Sequence, residues 1–280
     1  SPKPSSNELL SSTASESRST NRAPRTITKA LVVPSLKRRP GAGIVNPHRI
    51  TDLGLAARQT SDEPTRPVGQ STMPRIFITA FEPYGGWSEN SSWLALIEFT
   101  KQLGPDANVT TRLYPVDFDA VSQRLRKDLE ADYDFALHLG QAPGAMSVKL
   151  EAIGLNVGGR SEQRPEEFHR LVDDGPVGYQ SALPLADWSK LLRAEGIPTT
   201  VSYHAGSYLC NATLYLSHFF AETMNLKTRS AFIHLPLDYS QTVKQGKELP
   251  ALSSNMSGRA LQLVVEQLTK RVPVDARELA

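Results

Sequence analysis

The sequence lacks most of the features that announce common functions. One cysteine in 280 residues excludes an internal disulfide and leaves a free thiol, Cys210, that needs a purpose. No window reaches the roughly 18 to 20 apolar residues that span a bilayer, and Ala30 to Pro34 is too short for a signal-peptide core. There is no HExxH and no histidine pair at helical spacing beside an acid, so no metal is expected, and no cofactor either. Gly85-Gly86 has neither the Lys-Ser/Thr of a phosphate loop nor the third glycine of a dinucleotide fingerprint. Clustered positive charge is also scarce: Lys37-Arg38-Arg39 falls short of the usual five to eight basic residues of a nucleic-acid patch.

Charge and composition divide the chain in two. Residues 1–72 hold 11 Lys/Arg against 5 Asp/Glu, a net of +6; with +2 for the whole, the other 208 residues carry −4. An acidic body attracts neither nucleic acid nor an anionic membrane, so no partner of either kind is expected. The first 72 residues contain no aromatic residue and are rich in Ser, Thr, Arg and Pro. They cannot bury enough apolar surface to offset chain entropy, and a disordered basic tail is expected there. A transit peptide is the other reading of that composition, weakened by Asp52, Asp62 and Glu63. Residues 73–280 are expected to form one folded domain, and its reduced thiol fits a cytoplasmic location.

From Arg75 onward the text alternates between strand-like and helix-like runs. Ile76 to Thr79 is a short β-branched run ending in a turn at Pro83 and Gly85-Gly86. Ser92 reads as the N-cap of a helix beginning at Trp93. The pattern then predicts a strand near Val109 to Val116, a helix over Asp119 to Leu129 and a strand over Phe135 to Leu139. Further on it predicts a helix over Asp187 to Glu195, a strand over Thr199 to Tyr203 and a helix over Leu209 to Met224. A strand over Ala231 to Leu235 and a helix over Gly258 to Arg271 complete the series. Such alternation argues for an α/β fold, a three-layer α/β/α sandwich on a largely parallel mixed sheet, with ligands at the loops beyond the strand carboxyl ends. The polar stretch from Gly158 to Gly178 reads as an excursion or flap.

Three residues stand out chemically. Cys210, in Ala205-Gly206-Ser207-Tyr208-Leu209-Cys210-Asn211, falls where a glycine-containing loop passes into a helix. The positive end of the helix dipole there favours the thiolate, which is the nucleophilic form. A buried cysteine acting as a small hydrophobe is the plainer reading of that residue alone. His234 ends a buried strand just before Pro236, at the layer where a base must sit; His138, at another strand end, is its rival. Glu151 is an acid in an apolar run, costly unless paired and therefore a candidate to hold the imidazole in one tautomer, with Asp238 as the alternative.

Four ordered segments carry a resemblance: Thr79-Ala80-Phe81-Glu82-Pro83-Tyr84-Gly85-Gly86, Leu137-His138-Leu139-Gly140-Gln141-Ala142, the Cys210 segment and Phe232-Ile233-His234-Leu235-Pro236. Together, from about Arg75 to Leu268, they resemble pyroglutamyl-peptidase I, the pyrrolidone-carboxylate peptidase family, whose sheet is of the phosphorylase/hydrolase-like type. The resemblance implies a cysteine peptidase that removes N-terminal pyroglutamate from peptides, with Cys210 as nucleophile, His234 as base and Glu151 as the third member. It also implicates Phe81 and Tyr84 in enclosing the pyrrolidone ring, places Gln141 and Asn90 near the site, and makes a homo-oligomer an expectation by analogy. The chain departs from the commoner pattern at Ala80, Tyr84, Ala152 and Gly154-Leu155, departures that bear on the pocket and on substrate preference. A same-fold thiol hydrolase of another amide and a non-catalytic binding protein are the alternative readings.

Overall fold

The computed structural model describes residues 73–104, 107–160 and 162–270. The tail expected over residues 1–72 lies outside the described residues. Six strands form the main sheet: β1 (Ile76–Phe81), β2 (Val109–Tyr114), β3 (Phe135–Gln141), β4 (Val148–Glu151), β7 (Thr199–Ser202) and β8 (Arg229–Leu235). Their order is β2-β1-β3-β8-β4-β7, and every pairing is parallel except the antiparallel β4·β8. A separate two-stranded ribbon pairs β5 (Ile153–Leu155) with β6 (Gly178–Gln180).

The strand pleat sorts the side chains into two layers. On one face Ile76, Ile78, Leu137, Leu139, Leu150, Ile233 and Leu235 pack with residues of α1 (Ser91–Thr100), α3 (Leu185–Ala194) and α6 (Ser254–Lys270). On the other, Phe77, Phe81, Ala136 and Phe232 pack with α2 (Phe118–Leu129) and α4 (Leu209–Thr223). The α/β sandwich read from the sequence is therefore the one observed. The expected order omits β4 to β6, whose three or four residues show little period, although β7, of four residues, was read from its β-branched Thr199-Thr200-Val201 run.

Several boundaries shift for local reasons. The first helix begins at Ser91, because Asn90 is its N-cap and accepts from the Ser92 N–H at 3.0 Å. Ser92 instead turns its hydroxyl to Asn90 and accepts from the Phe81 N–H, tying helix to strand. A short helix absent from the sequence reading, α5 (Tyr239–Gln245), follows β8. Asp238 caps it, and its second oxygen accepts from the Ser254 N–H at the start of α6 at 2.5 Å. The excursion after β5 is tied down: Asn156 donates to the carbonyls of Val172 and Gly175, and Tyr215 donates to that of Pro176.

Two close approaches fix α4 against the sheet. A Cβ on Gly154 would lie 2.7 Å from the Tyr215 nitrogen, so only glycine lets β5 meet the helix backbone. A Cβ on Gly140, at the end of β3, would lie 2.6 Å from the Phe232 ring and 2.9 Å from the Cys210 sulfur. Overpacking of this kind typically costs about 1–3 kcal/mol. Gly140→Ala is expected to lower stability by about that much and to reduce Cys210 alkylation, measured by urea unfolding and by iodoacetamide labelling of the folded protein.

Beneath α4 runs a buried polar chain: Thr79 to His138 at 2.8 Å, His138 to Ser217 at 3.0 Å, and Ser217 to Ser230 at 2.7 Å. Burial, with nearby His218 adding to it, holds the His138 imidazole down at about 3. Burial alone pulls His218, stacked on Tyr179, to about 4. Both folded values lie below the ordinary value, so these groups contribute stability that is complete above pH 6.5 and is lost as pH falls toward 4. Each should cost roughly 1.4 kcal/mol per pH unit across that window. Urea midpoints measured from pH 7 to 4.5 should fall accordingly, and more shallowly in His218→Gln.

Candidate active site

The site grows from the pleat of three adjacent strands. Gly140 of β3 is in register with His234 of β8, and both face α4. In the antiparallel pair, Lys149 lies opposite His234 and Glu151 opposite Phe232, so Glu151 and His234 are diagonal neighbours on one face. Their side chains meet: His234 Nδ1 lies 2.8 Å from Glu151 Oε1. With an ionised carboxylate as acceptor, Nδ1 carries the proton and Nε2 is left for the helix side.

The helix supplies the third group. Cys210 is the second residue of α4, partly exposed, and its sulfur stands over Gly140, the residue in register with His234. Burial pulls the imidazole down, but the Cys210 sulfur, by charge and by hydrogen bond, and then Glu151 outweigh it and raise His234 to about 10. Both partners favour the charged imidazolium over the neutral ring. Tyr208 occupies the N-cap of α4 without a side-chain cap, so no side chain covers the first-turn N–H groups beside the sulfur.

Cys210 opens into a small cleft that is partly open to solvent. Phe81, Tyr84, Val116, Tyr208 and Leu209 form its apolar walls, and Asn90 and Gln141 contribute the polar ones. Burial and then the facing Cys210 push the Tyr84 phenol up to about 12, so it stays protonated and makes a long 3.3 Å hydrogen bond to the Gln141 carbonyl. Asn90 spends its side chain on structure, capping α1 and donating to the Glu82 carbonyl at 3.0 Å. Gln141 is different. Its Oε1 accepts from the Ser91 N–H at 2.8 Å and from Gln241 Nε2 at 2.7 Å, while its own Nε2 is buried without a partner.

Five of the seven residues singled out from the sequence, Phe81, Tyr84, Asn90, Gln141 and Cys210, line one cleft, while His234 and Glu151 pair with each other in the sheet beneath α4. The two reserve candidates lie elsewhere: His138 is sealed under α4 with both ring nitrogens bonded, and Asp238 caps two helices. Val116, Tyr208 and Leu209 were not foreseen. Tyr208 and Leu209 adjoin the cysteine in sequence, whereas nothing near Val116 signals a pocket. Of the departures, Ala80 and Ala152 pack in the core on the opposite face of the sheet and do not line the cleft, and Gly154 serves helix packing. Only Tyr84 alters the cleft wall.

Comparisons with known proteins bear on the fold and the family. A family model described as pyroglutamyl peptidase matches residues 74–271. The chain is 34% identical over 199 residues to a pyrrolidone-carboxylate peptidase of Clavibacter michiganensis subsp. michiganensis, covering 69% of this chain and 92% of the relative. It is 32% identical over 200 residues to that of Pyrococcus furiosus, covering 69% and 96%. Among solved structures, a mutant pyrrolidone carboxyl peptidase from P. furiosus superposes with a TM-score of 0.65 at 30% identity, covering 71% of this chain and 99% of that one. The enzyme from Fervidobacterium islandicum gives 0.64 at 29% identity, covering 70% and 98%. With the fold and the length of the match in agreement, this chain belongs to the pyroglutamyl peptidase family.

Proposed function

We propose that this protein is a cysteine peptidase that hydrolyses the bond after an N-terminal pyroglutamyl residue, with Cys210 as nucleophile, His234 as acid and base, and Glu151 as the orienting carboxylate. The observation that carries the reading is the His234–Glu151 hydrogen bond on the strand pair beside Gly140, over which stands the Cys210 sulfur, in a cleft walled by Phe81 and Tyr84. A pyroglutamyl residue has no free amino group, so its ring must be read by shape, stacking and a few hydrogen bonds. Phe81 and Tyr84 supply the first two, and the polar lining at Asn90 and Gln141, whose backbone carbonyl accepts from the Tyr84 hydroxyl, supplies the third.

The chemistry follows from these positions. The Cys210 thiolate attacks the acyl carbon, and the C=O electrons move to oxygen beside the uncapped N–H groups of α4. As the tetrahedral species collapses, the C–N bond breaks and the His234 imidazolium gives its proton to the leaving amine. A thioester to Cys210 remains. Neutral His234 then takes a proton from water, whose oxygen attacks the thioester, and cleavage of the C–S bond releases pyroglutamate and restores the thiolate–imidazolium pair. Glu151 holds the ring throughout and stabilises its charge.

The proposed catalytic unit is the segment 73–280, supported by the family match over residues 74–271. Among the described residues, no helix is long and apolar enough to cross a membrane. A nucleophilic thiol must stay reduced to work, so we assign the activity to the cytoplasm.

Two measurements test the assignment. The full chain should release aminocoumarin from pyroglutamyl-aminocoumarin, and Cys210→Ala should reduce release to background; no release from folded wild-type protein would defeat the reading. Glu151→Gln should lower kcat/KM by roughly 100-fold or more. Because the carboxylate helps to raise His234, its loss lets the imidazolium deprotonate at lower pH. The alkaline limb of the rate profile should therefore move to lower pH in that variant.

A further inference from the structure

The strand order sets the groups of the site in a line. Phe81 ends β1, Gly140 and Gln141 end β3, and His234 stands beside Gly140 on β8. The next strand is β4, where Lys149 lies directly opposite His234. Directly opposed residues of an antiparallel pair project to one face, with their Cβ atoms about 5 Å apart. Val148 and Leu150 enter the core on the other face, so Lys149 shares with Glu151 and His234 the face beneath α4.

That order gives a bound peptide a direction. The cleft assigned to the ring is lined from the ends of β1 and β3, the loops after β1 and β2 and the start of α4; it reaches Cys210 but includes neither His234 nor Lys149. His234 gives its proton to the leaving amine, so the amine departs on the β8 side of the sulfur, away from the ring. The first residue of the leaving peptide then passes over β8 toward β4 and Lys149. Beyond β4 the main sheet has only its edge strand, β7, so the rest of the peptide has a way out to solvent.

Lys149 is suited to read that first residue by charge. Its side chain is partly exposed, and among the described residues no carboxylate pairs with its ammonium. Glu151, two residues on, is 1% exposed and bonded to His234. The other neighbours on that face, Ser147 and the facing Thr200, are neutral, with their hydroxyls 3.4 Å apart. The remaining charges near the mouth, Arg160, Asp117 and Glu162, act on Tyr208 and Tyr84 at the ring end.

We propose that Lys149 is a specificity-determining residue for the leaving peptide: its ammonium favours substrates whose first residue after pyroglutamate carries a carboxylate, as the free C-terminus of a dipeptide or as an acidic side chain. The inference rests on the pyroglutamyl reading of the cleft and adds a preference on the side of the bond that the ring does not touch.

Two pairs of substrates separate the sources of the carboxylate. Pyroglutamyl-alanine against pyroglutamyl-alaninamide tests a C-terminal carboxylate, and the α-amides of pyroglutamyl-glutamate and pyroglutamyl-glutamine test a side chain. For each pair the ratio of kcat/KM, anionic over neutral, is measured by pyroglutamate release with the full chain and with Lys149→Met, Lys149→Arg and Lys149→Glu. A ratio taken within one enzyme cancels any general loss of folding or activity. In at least one pair the ratio should fall about fivefold from wild type to Lys149→Met, the scale of a partly exposed ion pair. The change should lie in KM rather than kcat, because the charge contact is made equally in the ground and transition states. Lys149→Arg should keep the wild-type ratio and Lys149→Glu should lower it further, and salt at about 1 M should bring the wild type toward Lys149→Met. The pair that responds identifies the carboxylate. A ratio that Lys149→Met leaves unchanged in both pairs, or that falls equally in Lys149→Arg, overturns the proposal. If the wild type releases pyroglutamate from none of the four substrates, the pyroglutamyl reading itself fails; if it cleaves them with ratios that no substitution moves, only the role of Lys149 fails.

Discussion

Glu151 is a carboxylate that is 1% exposed in the middle of a sheet, a position that water alone cannot make tolerable. Its charge is acceptable there because His234, on the neighbouring antiparallel strand, donates to it at 2.8 Å. Removing either partner leaves the other buried and uncompensated, so the pair constrains both strands. The same bond fixes which imidazole nitrogen faces α4, and thereby which atom meets Cys210. One contact between two strands sets the sheet register at this point and the protonation of the site.

The second constraint is distance. The sulfur stands over β3 only because Gly140 has no side chain, and the helix that carries it lies close to β5 only because Gly154 has none. Each glycine removes volume where the backbone or the nucleophile must approach. This explains how a departure from the common family pattern at Gly154 coexists with an intact site: the substitution belongs to the interface behind the nucleophile. Ala80 and Ala152 are likewise absorbed by the core on the far face of the sheet, where small residues fit beneath the helices.

Around the cleft, polar side chains act mainly on one another. Asp238 starts α5 and binds the first N–H of α6, Gln241 joins α5 to Glu89 and Gln141, and Asn90 starts α1 while holding the loop at Glu82. The loop bearing Tyr84 is thus bounded on both sides by capped helices. Its exposed ties, Lys244 to Glu89 and Gln245 to Gly86, add weak further links. Such a frame surrounds a slot whose walls are apolar except at Asn90, Gln141 and Cys210, which suits a neutral lactam.

Periodicity and turn residues in the sequence determined the α/β alternation, because the period of apolar residues is a local property of strands and helices longer than about five residues. The motifs around Cys210, His234 and Phe81 were legible for the same reason: each sits at a junction where glycine or proline marks a strand end or a helix start. Short elements such as β4, β5 and α5 left no period to read. Nor can sequence show which acid meets which histidine: Glu151 and Asp238 were both open, as were His234 and His138, until the pleat and the antiparallel turn of β4 put Glu151 and His234 diagonally on one face and sealed His138 under α4. Residue types and their local setting were written in the chain. Their pairing, the direction of the Gln141 amide and the space over Gly140 came only from packing, because contacts between residues 83 and 100 positions apart depend on how strands and helices are laid together, not on any local pattern.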